Sequence, residues 1–236
     1  MYDQSAKIYD LLYTGAGIKD YAAEVAELHR IITENCPTST TLLDVACGTG
    51  AHLAALRQWF AVEGVDISPA MLEIAGARLP GIPLHLADMR TLELGRTFDV
   101  VICLFSSIGY ITEPDELRST VARLAAHVNA PGVLILDGWV RPDAWSDDFR
   151  GDPDIASDDE ITVVRLSLTR RSGTITELDM HHLVRTASAV EYFLETHRLA
   201  LSPTADYVSA VEASGLDARV ITDYMPSRDR VVGIRT

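Results

Sequence analysis

The sequence is poor in cysteine and in long apolar runs. Its three cysteines, Cys36, Cys47 and Cys103, are too few and too scattered for a disulfide framework or a zinc cluster. The first residues, MYDQSAKIYD, lack the apolar segment of a secretory signal, and no apolar run approaches the roughly 20 residues of a membrane-spanning helix. These absences predict a cytoplasmic protein with no bound metal and no membrane partner.

Basic residues are also scarce. Lys and Arg number 20 against 34 Asp and Glu, which gives a formal net charge of -14. Affinity for nucleic acid comes largely from cations that neutralise phosphates, so DNA and RNA are not expected as partners. Apolar residues, in contrast, make up 47% of the 236 positions, which is ample for the core of one large domain.

Strand-like and helix-like segments alternate in the first part of the chain. An amphipathic helix at residues 21–33 leads, and then TLLDVA, VEGVDI, PLHLAD, FDVVICLF and GVLILDGW read as strands separated by helical segments. This alternation predicts a mostly parallel sheet with helices on both faces, and the strands are apolar throughout, as expected when both faces are covered. The predicted fold class is therefore α/β and Rossmann-like.

The alternation of predicted strands and helices ends after Trp139. The acidic stretch Asp147 to Glu160 reads as a solvated loop or as a mobile cover over a substrate, since it lacks the ligand spacing of a calcium loop. Three β-like runs follow, ITVVRLSL, TITELDMHHLV and SAVEYFLETHRLAL, and they predict an appended antiparallel β-meander. A helical segment, PTADYVSAVEASG, and two closing strands return the chain to the main sheet.

A glycine turn follows the first predicted strand, in TLLDVACGTGAHLAAL. In an open parallel sheet, ligands bind at the carboxyl ends of the strands, where glycines let a ligand approach the backbone. A dinucleotide-binding turn needs a third glycine, but Gly48 and Gly50 are followed by Leu53, and Asp44 stands just before the turn. A dinucleotide site and a purely structural turn are therefore the weaker interpretations.

Acidic residues stand near the ends of the first three predicted strands. Asp44 suits the ammonium of an amino acid, while the free N–H groups of the next helix suit its carboxylate. Asp66, in GVDIS, can accept from both hydroxyls of a ribose. Asp88, in LADMR, can accept from the amino group of adenine, and Met89 can pack on its ring. S-Adenosylmethionine carries all of these groups.

These motifs resemble those of class I S-adenosylmethionine-dependent methyltransferases. LDVACGTG is similar to their D-x-G-x-G-x-G turn, with Ala46 at the first glycine, and GVDIS, LADMR and FDVVICLFSSIGYI follow in the family's order. The resemblance implies S-adenosylmethionine as cofactor and residues 1–139 as its binding core with an N-terminal helical cap. The implied cofactor-binding residues are Tyr21, Asp44, Ala46, Gly48, Gly50, Asp66, Ile67, Asp88, Met89 and Leu104.

A narrower resemblance covers nearly the whole chain. MYDQSAKIYDLLY, GAGIKDYAAE, FSSIGYI and HRLALSPTADYVSAVEASGL are similar to segments of enzymes that N-methylate dTDP-linked amino-deoxy sugars, such as the desosamine and mycaminose N,N-dimethyltransferases. It implies that residues 140–201 form a substrate region and residues 202–236 complete the core. Tyr2 and Tyr110 are expected near the acceptor amine as catalytic residues that orient it. The implied substrate-binding residues are Tyr9, Trp139, Arg165, Arg228 and Arg230.

Other interpretations stay open at this stage. The acceptor could be another small molecule methylated on oxygen or nitrogen, and a non-catalytic S-adenosylmethionine-binding partner protein is a more distant alternative. His181 and His182 are adjacent, so on a strand they point to opposite faces and are poorly placed to share a metal. A homodimer is a further hypothesis, through the N-terminal helix or an edge of the meander.

Overall fold

The computed structural model describes residue 2, residues 4–147 and residues 151–236. Helices and strands alternate along most of this chain, with short 3-10 turns between some of them. The α-helices are α1 (Tyr9–Gly15), α2 (Tyr21–Asn35), α3 (Ala51–Leu56), α4 (Pro69–Arg78), α5 (Pro114–Ala126) and α6 (Thr204–Ala213). The strands are β1 (Thr41–Val45), β2 (Ala61–Asp66), β3 (Leu84–Leu86), β4 (Phe98–Cys103), β5 (Val128–Val140), β6 (Asp154–Ser157), β7 (Thr162–Ser172), β8 (Ile175–Arg185), β9 (Val190–Ala200), β10 (Asp217–Met225) and β11 (Arg228–Arg235).

The main sheet has the strand order β10-β11-β5-β4-β1-β2-β3. Pairing is parallel from β5 through β4, β1 and β2 to β3, whereas β11 runs antiparallel to both β5 and β10. The predicted mostly parallel sheet, closed by two late strands, is confirmed. Because β1 lies between β2 and β4, its carboxyl end lies in the interior of the sheet and not at an edge.

The core is divided between the two faces of this sheet. Leu42 and Leu43 are neighbours on β1, and their side chains point to opposite faces because a strand alternates with a period of two. Leu42 packs with α2 and α3, whereas Leu43 packs with α5 and α6. Both faces are thus covered by helices. Among the described residues, none of the helices combines the length and the apolar character that crossing a membrane requires.

The appended antiparallel sheet has four strands, in the order β6-β7-β8-β9. Three of them are the predicted meander. The fourth corrects the prediction of a loop, because part of the acidic stretch forms β6: Asp154 pairs with Arg165 in the β6–β7 register, and its carboxylate accepts from the guanidinium at 2.9 and 2.7 Å. Ala156 of this strand packs against α1. The loop prediction also covered residues 148–150, which lie outside the described residues.

The N-terminal segment joins the two sheets. Thr49 in the glycine turn donates a hydrogen bond to Asp10 of α1 at 2.8 Å, and Arg78 at the end of α4 forms an ion pair with Asp10. On the other side, the Tyr13 hydroxyl accepts from Arg165 Nη1 at 3.0 Å. The helix therefore contacts elements from both sheets and encloses the space between them.

Candidate active site

A cavity of about 230 Å³ lies at the carboxyl ends of β1, β2 and β4. Its walls are the glycine turn, the turns after β2, β3 and β4, and the N-terminal segment. Twelve residues predicted for the site line this cavity: Tyr2, Tyr9, Tyr21, Asp44, Ala46, Gly48, Asp66, Ile67, Asp88, Met89, Leu104 and Tyr110.

The glycine turn has three residues with left-handed backbone conformations. Ala46 has φ +62°, Gly48 φ +55° and Gly50 φ +74°. Gly50 is absent from the cavity lining, and a Cβ atom built on it would lie 2.8 Å from Leu79 Cδ1. The left-handed backbone of Gly50 and its close packing against the end of α4 therefore explain why glycine stands at this position, and no contact with a cofactor is needed. At Ala46, the left-handed region costs an L-residue roughly 1–2 kcal/mol.

Asp44 stands at the end of β1 and is only 1% exposed. Its Oδ2 atom has no hydrogen-bond partner among the described residues. Burial raises the pKa of this carboxyl well above its ordinary value, and the neighbouring charge of Asp66 raises the pKa further. A cation that binds in the cavity beside Asp44 would therefore stabilise the ionised carboxylate of Asp44, because no other donor contacts the Oδ2 atom.

A buried lysine lies near the same end of the cavity. Lys19 Nζ is 2.6 Å from Glu24 Oε2 and 3.4 Å from His52 Nε2, and it lies 4.1 Å from the centroid of the Phe105 ring. Burial lowers the pKa of Lys19, while Glu24 acts in the opposite direction. Lys19 was not among the residues predicted for the site. Its signal was an isolated lysine between glycines and tyrosines, in GAGIKDY.

Asp66 fixes the end of β2 against the glycine turn. Its Oδ2 accepts from the Gly48 N–H and its Oδ1 from the Ser68 N–H, both at 2.8 Å. Burial raises the pKa of Asp66, although these backbone hydrogen bonds act to lower it. Since each carboxylate oxygen has two lone pairs, the side chain retains acceptor capacity toward the cavity.

Asp88 begins the short 3-10 turn Met89–Thr91. Its carboxylate accepts from the Arg90 backbone N–H at 2.9 Å and also from the Arg90 guanidinium. The hydrogen bonds from the Arg90 side chain lower the pKa of Asp88, so this carboxylate is ionised at neutral pH. Asp88 and Met89 both line the cavity, on the wall after β3.

Two tyrosine hydroxyls meet at the opposite wall. Tyr110 Oη lies 2.9 Å from Tyr2 Oη and 2.8 Å from His197 Nδ1. Tyr2 also packs against His197, with ring centroids 4.6 Å apart. His197 was not among the residues predicted for the site. The signal that could have found it is its place on a strand two residues after Glu195, which puts both side chains on the same face.

The predicted substrate-binding residues other than Tyr9 lie outside the cavity lining. Arg230 is 2% exposed, and its guanidinium donates to both oxygens of Asp137 at 2.6 and 3.1 Å. Its expected contact with a diphosphate does not fit this position, because the charge is already neutralised by Asp137. Arg165 is likewise paired with Asp154, at 2.7 Å.

Arg228 differs from these two arginines. It is half-buried over the ring of Trp139, at 4.2 Å from the centroid, and it donates to Ser106 Oγ at 3.2 Å. Across residues 2, 4–147 and 151–236, no carboxylate lies within ion-pair distance of its guanidinium. Burial lowers the pKa of Arg228, which is the expected effect on a cation removed from water without a carboxylate partner.

The chain is similar to known proteins well beyond the residues of this cavity. A model of the methyltransferase domain family matches residues 42–132. The chain is 36% identical to dTDP-3-amino-3,4,6-trideoxy-α-D-glucopyranose N,N-dimethyltransferase of Streptomyces venezuelae, over 97% of both chains. The crystal structure of Streptomyces venezuelae DesVI superimposes with a TM-score of 0.93 at 36% identity, over 99% of both chains. CalS10 with bound S-adenosylmethionine, an amino pentose methyltransferase from Micromonospora echinaspora, has a TM-score of 0.87 at 36% identity and 97% coverage of each chain.

The chain belongs to the sugar N-methyltransferases that use S-adenosylmethionine. The resemblance drawn from the motifs is thereby confirmed, for the fold, the enzyme class and the cofactor. Sugar N-methyltransferase sequences match this chain through the four-stranded sheet as well as the core, so the likeness is not confined to the domain that many methyltransferases share.

The residues of this sugar N-methyltransferase fit the cofactor. S-Adenosylmethionine has an ammonium at its amino-acid end, and the cavity offers an unpaired oxygen of Asp44 to it. Lys19 also lines the cavity, where it is paired with Glu24. Of the part of the chain that the structure describes, no group of three or more His, Cys, Asp or Glu side chains is arranged to hold a metal.

We expect Ala46→Gly to stabilise the protein. Glycine relieves the left-handed strain at φ +62°, so the free energy of unfolding should rise by about 1 kcal/mol and the melting temperature by roughly 2–4 °C. Thermal and chemical denaturation of the purified protein would measure both. Ala26→Gly, at an exposed position inside α2, is the matched control and should lower stability by about 1 kcal/mol. Equal destabilisation by both changes would contradict the strain at Ala46.

Proposed function

We propose that this enzyme transfers a methyl group from S-adenosylmethionine to the amino group of a dTDP-linked amino-deoxy sugar. The observation that carries the proposal is the end-to-end likeness to the Streptomyces venezuelae N,N-dimethyltransferase, whose name specifies such a substrate. The likeness includes β6 to β9, and Tyr110 of the cavity wall contacts His197 of β9. The appended sheet thus contributes to the wall that faces an acceptor.

In this proposal the cofactor lies along the strand ends. Asp44 accepts from the ammonium of the amino-acid end, and Lys19 attracts its carboxylate. Asp66 accepts from the ribose hydroxyls, while Asp88 and Met89 contact the adenine. Several residues that line the cavity form the remaining contact surface around the cofactor: Tyr21, Ala46, Gly48, Ile67 and Leu104.

The acceptor amine lies beside Tyr2 and Tyr110 in this arrangement. Methyl transfer from a sulfonium is an in-line displacement with a neutral thioether as leaving group, so the enzyme mainly aligns and desolvates the nucleophile. The hydroxyl pair, 2.9 Å apart, orients the amine by hydrogen bonding. Tyr9, whose ring lies edge-on to Tyr2 with centroids 5.5 Å apart, covers the amine from the N-terminal side.

Arg228 is the residue that we assign to the nucleotide diphosphate. Guanidinium groups suit phosphate oxygens because they donate in pairs, and this one has no carboxylate within ion-pair distance among the described residues. Its place over Trp139 brings it to the junction between the main sheet and the appended sheet, since Trp139 of β5 donates to Thr176 of β8 at 3.1 Å.

Calorimetric titration with dTDP, in the presence of saturating S-adenosylhomocysteine, tests this assignment. We expect dTDP to bind, and Arg228→Ala to lower its affinity by about 10- to 100-fold, since a hydrogen bond to a charged group contributes about 1.5–3 kcal/mol. Arg219→Ala, an exposed arginine on β10, is the control and should leave the affinity unchanged. S-Adenosylhomocysteine should bind both variants equally.

Either of two results would count against the proposal. Absence of dTDP binding by the wild-type enzyme would mean that the acceptor lacks this nucleotide, although the sugar N-methyltransferase family would stand. Unchanged dTDP affinity in Arg228→Ala would place the diphosphate elsewhere.

The proposal includes a cytoplasmic location and pairing of two copies of the chain. Cys36, Cys47 and Cys103 are free thiols, which agrees with a reducing compartment.

For the pairing, we assign the outward face of the appended sheet, where apolar side chains from all four strands are exposed: Ile155, Leu166, Leu168, Leu183, Tyr192 and Leu194. A contiguous apolar face of this kind is typical of an interaction surface.

The charges on this face favour a second copy of the same chain as its partner. The registers place three arginines and two acids on it, in contrast to the net charge of -14 of the whole chain: Arg170, Arg185 and Arg198 with Glu177 and Asp179. Two copies of an acidic protein can therefore meet here with little repulsion, and opposite charges can pair across a two-fold axis.

Sedimentation equilibrium would test the pairing. Leu166→Glu, at the centre of the outward face, should convert a dimer to a monomer, since a carboxylate would be buried without a partner. Val220→Glu, at an exposed apolar position on β10, is the control and should remain a dimer. A monomeric wild-type protein at micromolar concentration would overturn this part of the proposal.

A further inference from the structure

A buried ion pair stands beside the cavity and contributes no side chain to its lining. Asp137 of β5 and Arg230 of β11 are both almost completely buried, and they are register partners in the main sheet. A buried ion pair is weak evidence for stability, because taking two charges out of water costs about as much as their attraction returns. The other contacts of the two side chains therefore indicate the role of this pair.

Asp137 holds the turn that follows β4. The backbone N–H of Phe105 donates to Asp137 Oδ2 at 3.0 Å, while Arg230 Nε donates to Oδ1 at 2.6 Å and Arg230 Nη2 to Oδ2 at 3.1 Å. The hydroxyl of Ser106 donates to the carbonyl of Gly138 at 2.7 Å. Two consecutive residues of β5 thus fix two consecutive residues of the turn.

The turn has a backbone conformation that needs this support. Phe105 has φ +52° and Ser106 has φ +64°, so two successive residues with side chains lie in the left-handed region. That region is unfavourable for L-residues and persists only where the surrounding structure enforces it. Asp137 supplies one such constraint, because its carboxylate accepts the N–H of Phe105.

The turn places Phe105 in the cavity wall. The centroid of its ring lies 4.1 Å from Lys19 Nζ. Lys19 Nζ donates to Glu24 Oε2 at 2.6 Å, and Glu24 Oε1 lies 3.6 Å from Arg230 Nη2. The contacts therefore form a closed ring of five residues: Arg230, Asp137, Phe105, Lys19 and Glu24.

Other residues of the same turn face both ligands of the proposed reaction. Leu104 lines the cavity on the side assigned to the cofactor, and Tyr110, at the end of the following 3-10 turn, stands where the acceptor amine is assigned. A displacement of the turn therefore moves the acceptor wall relative to a cofactor that contacts mainly the ends of β1, β2 and β3. Methyl transfer needs in-line alignment, so such a displacement is costly even when both ligands still bind.

We propose that Asp137 and Arg230 are positioning residues, which clamp the Phe105–Ser106 turn and thereby align the acceptor with the methyl group. Asp137 acts on the turn directly. Arg230 fixes the orientation of the Asp137 carboxylate and links it to Glu24 on the opposite wall. The alignment of the acceptor rests on the proposed function, whereas the clamp on the turn does not.

The test replaces the charged pair by an apolar pair of similar total volume, in the double variant Asp137→Leu/Arg230→Met. Such a replacement of a buried ion pair often leaves stability unchanged or higher, so a pair that served stability alone would leave the enzyme unaffected. We expect the double variant to fold but to lose the acceptor for the Phe105 N–H. Amide hydrogen exchange across residues 104–110, measured by mass spectrometry, should then be at least about tenfold faster than in the wild-type enzyme.

Turnover is measured with dTDP-3-amino-3,4,6-trideoxy-α-D-glucopyranose, the sugar in the name of the Streptomyces venezuelae relative. We expect the kcat of the double variant to fall by about 100-fold, the cost of a displacement of about 1 Å. The affinity for S-adenosylhomocysteine should stay within about threefold, because Asp44, Asp66 and Asp88 lie outside the turn.

Asp137→Asn is a second variant, which keeps the shape of the side chain if the double variant does not fold. Only one position of an amide accepts, so either the Phe105 N–H or the Arg230 Nε–H must face its NH2 group. Exchange across the turn should rise, and kcat should fall by about tenfold, the loss of one hydrogen bond. Glu63→Gln is the matched control, at a buried acid of β2 that pairs with His85 at 2.9 Å outside the cavity lining, and it should leave both quantities unchanged.

Three results would count against these assignments, each in a different way. Wild-type exchange across the turn in either folded variant would overturn the clamp. Faster exchange together with a wild-type kcat would overturn its role in alignment. A wild-type enzyme that methylates no dTDP-amino sugar would overturn the proposed function alone, and the exchange measurement would still decide whether Asp137 and Arg230 hold the turn.

Discussion

The cavity depends on a carboxylate that is buried before any ligand reaches it. Asp44 is 1% exposed at the end of a central strand, and its Oδ2 atom lacks a hydrogen-bond partner among the residues that the structure describes. An unsatisfied polar group in such a place costs about 1–3 kcal/mol, and more when it is charged. The enclosure that makes Asp44 costly also makes it selective, because a cationic donor compensates a buried carboxylate more fully than a neutral donor does.

The surrounding structure maintains this enclosure. The left-handed residues of the glycine turn lead the chain away from β1, so that the strand end stays open to the cavity. The N-terminal segment then covers it, through Asp10 with Thr49 and Arg78 on one side and through Tyr13 with Arg165 on the other. Cofactor and acceptor are therefore enclosed by one continuous set of contacts that involves both sheets.

The part of the site that local sequence determines could be predicted. Asp44, Asp66 and Asp88 each stand beside a recognisable strand end, and parallel strands bring their carboxyl ends to one edge of the sheet. The fold followed from the same alternation of strands and helices. Strand β6 was missed because acidic residues indicate a solvated loop, whereas Asp154 is compensated by Arg165, which lies in another strand.

Long-range pairing explains the other differences. Arg228 and Arg230 stand two residues apart on β11, yet one faces Trp139 and the other is neutralised by Asp137, and no local pattern distinguishes them. His197 likewise acquires its position from Tyr110, which is distant in the sequence. Side chains whose surroundings come from distant segments are therefore the ones that sequence alone does not place.

The most direct measurement is the affinity for S-adenosylhomocysteine compared with that for an analogue without the amino group, the S-adenosyl thioether of 4-mercaptobutyrate. The wild-type enzyme should bind S-adenosylhomocysteine about 10- to 100-fold more tightly, the contribution of one charge-assisted hydrogen bond to Asp44. Asp44→Asn should bind the two compounds within a few-fold of each other. Equal affinities in the wild-type enzyme, or undiminished discrimination in the variant, would contradict the role of the buried carboxylate.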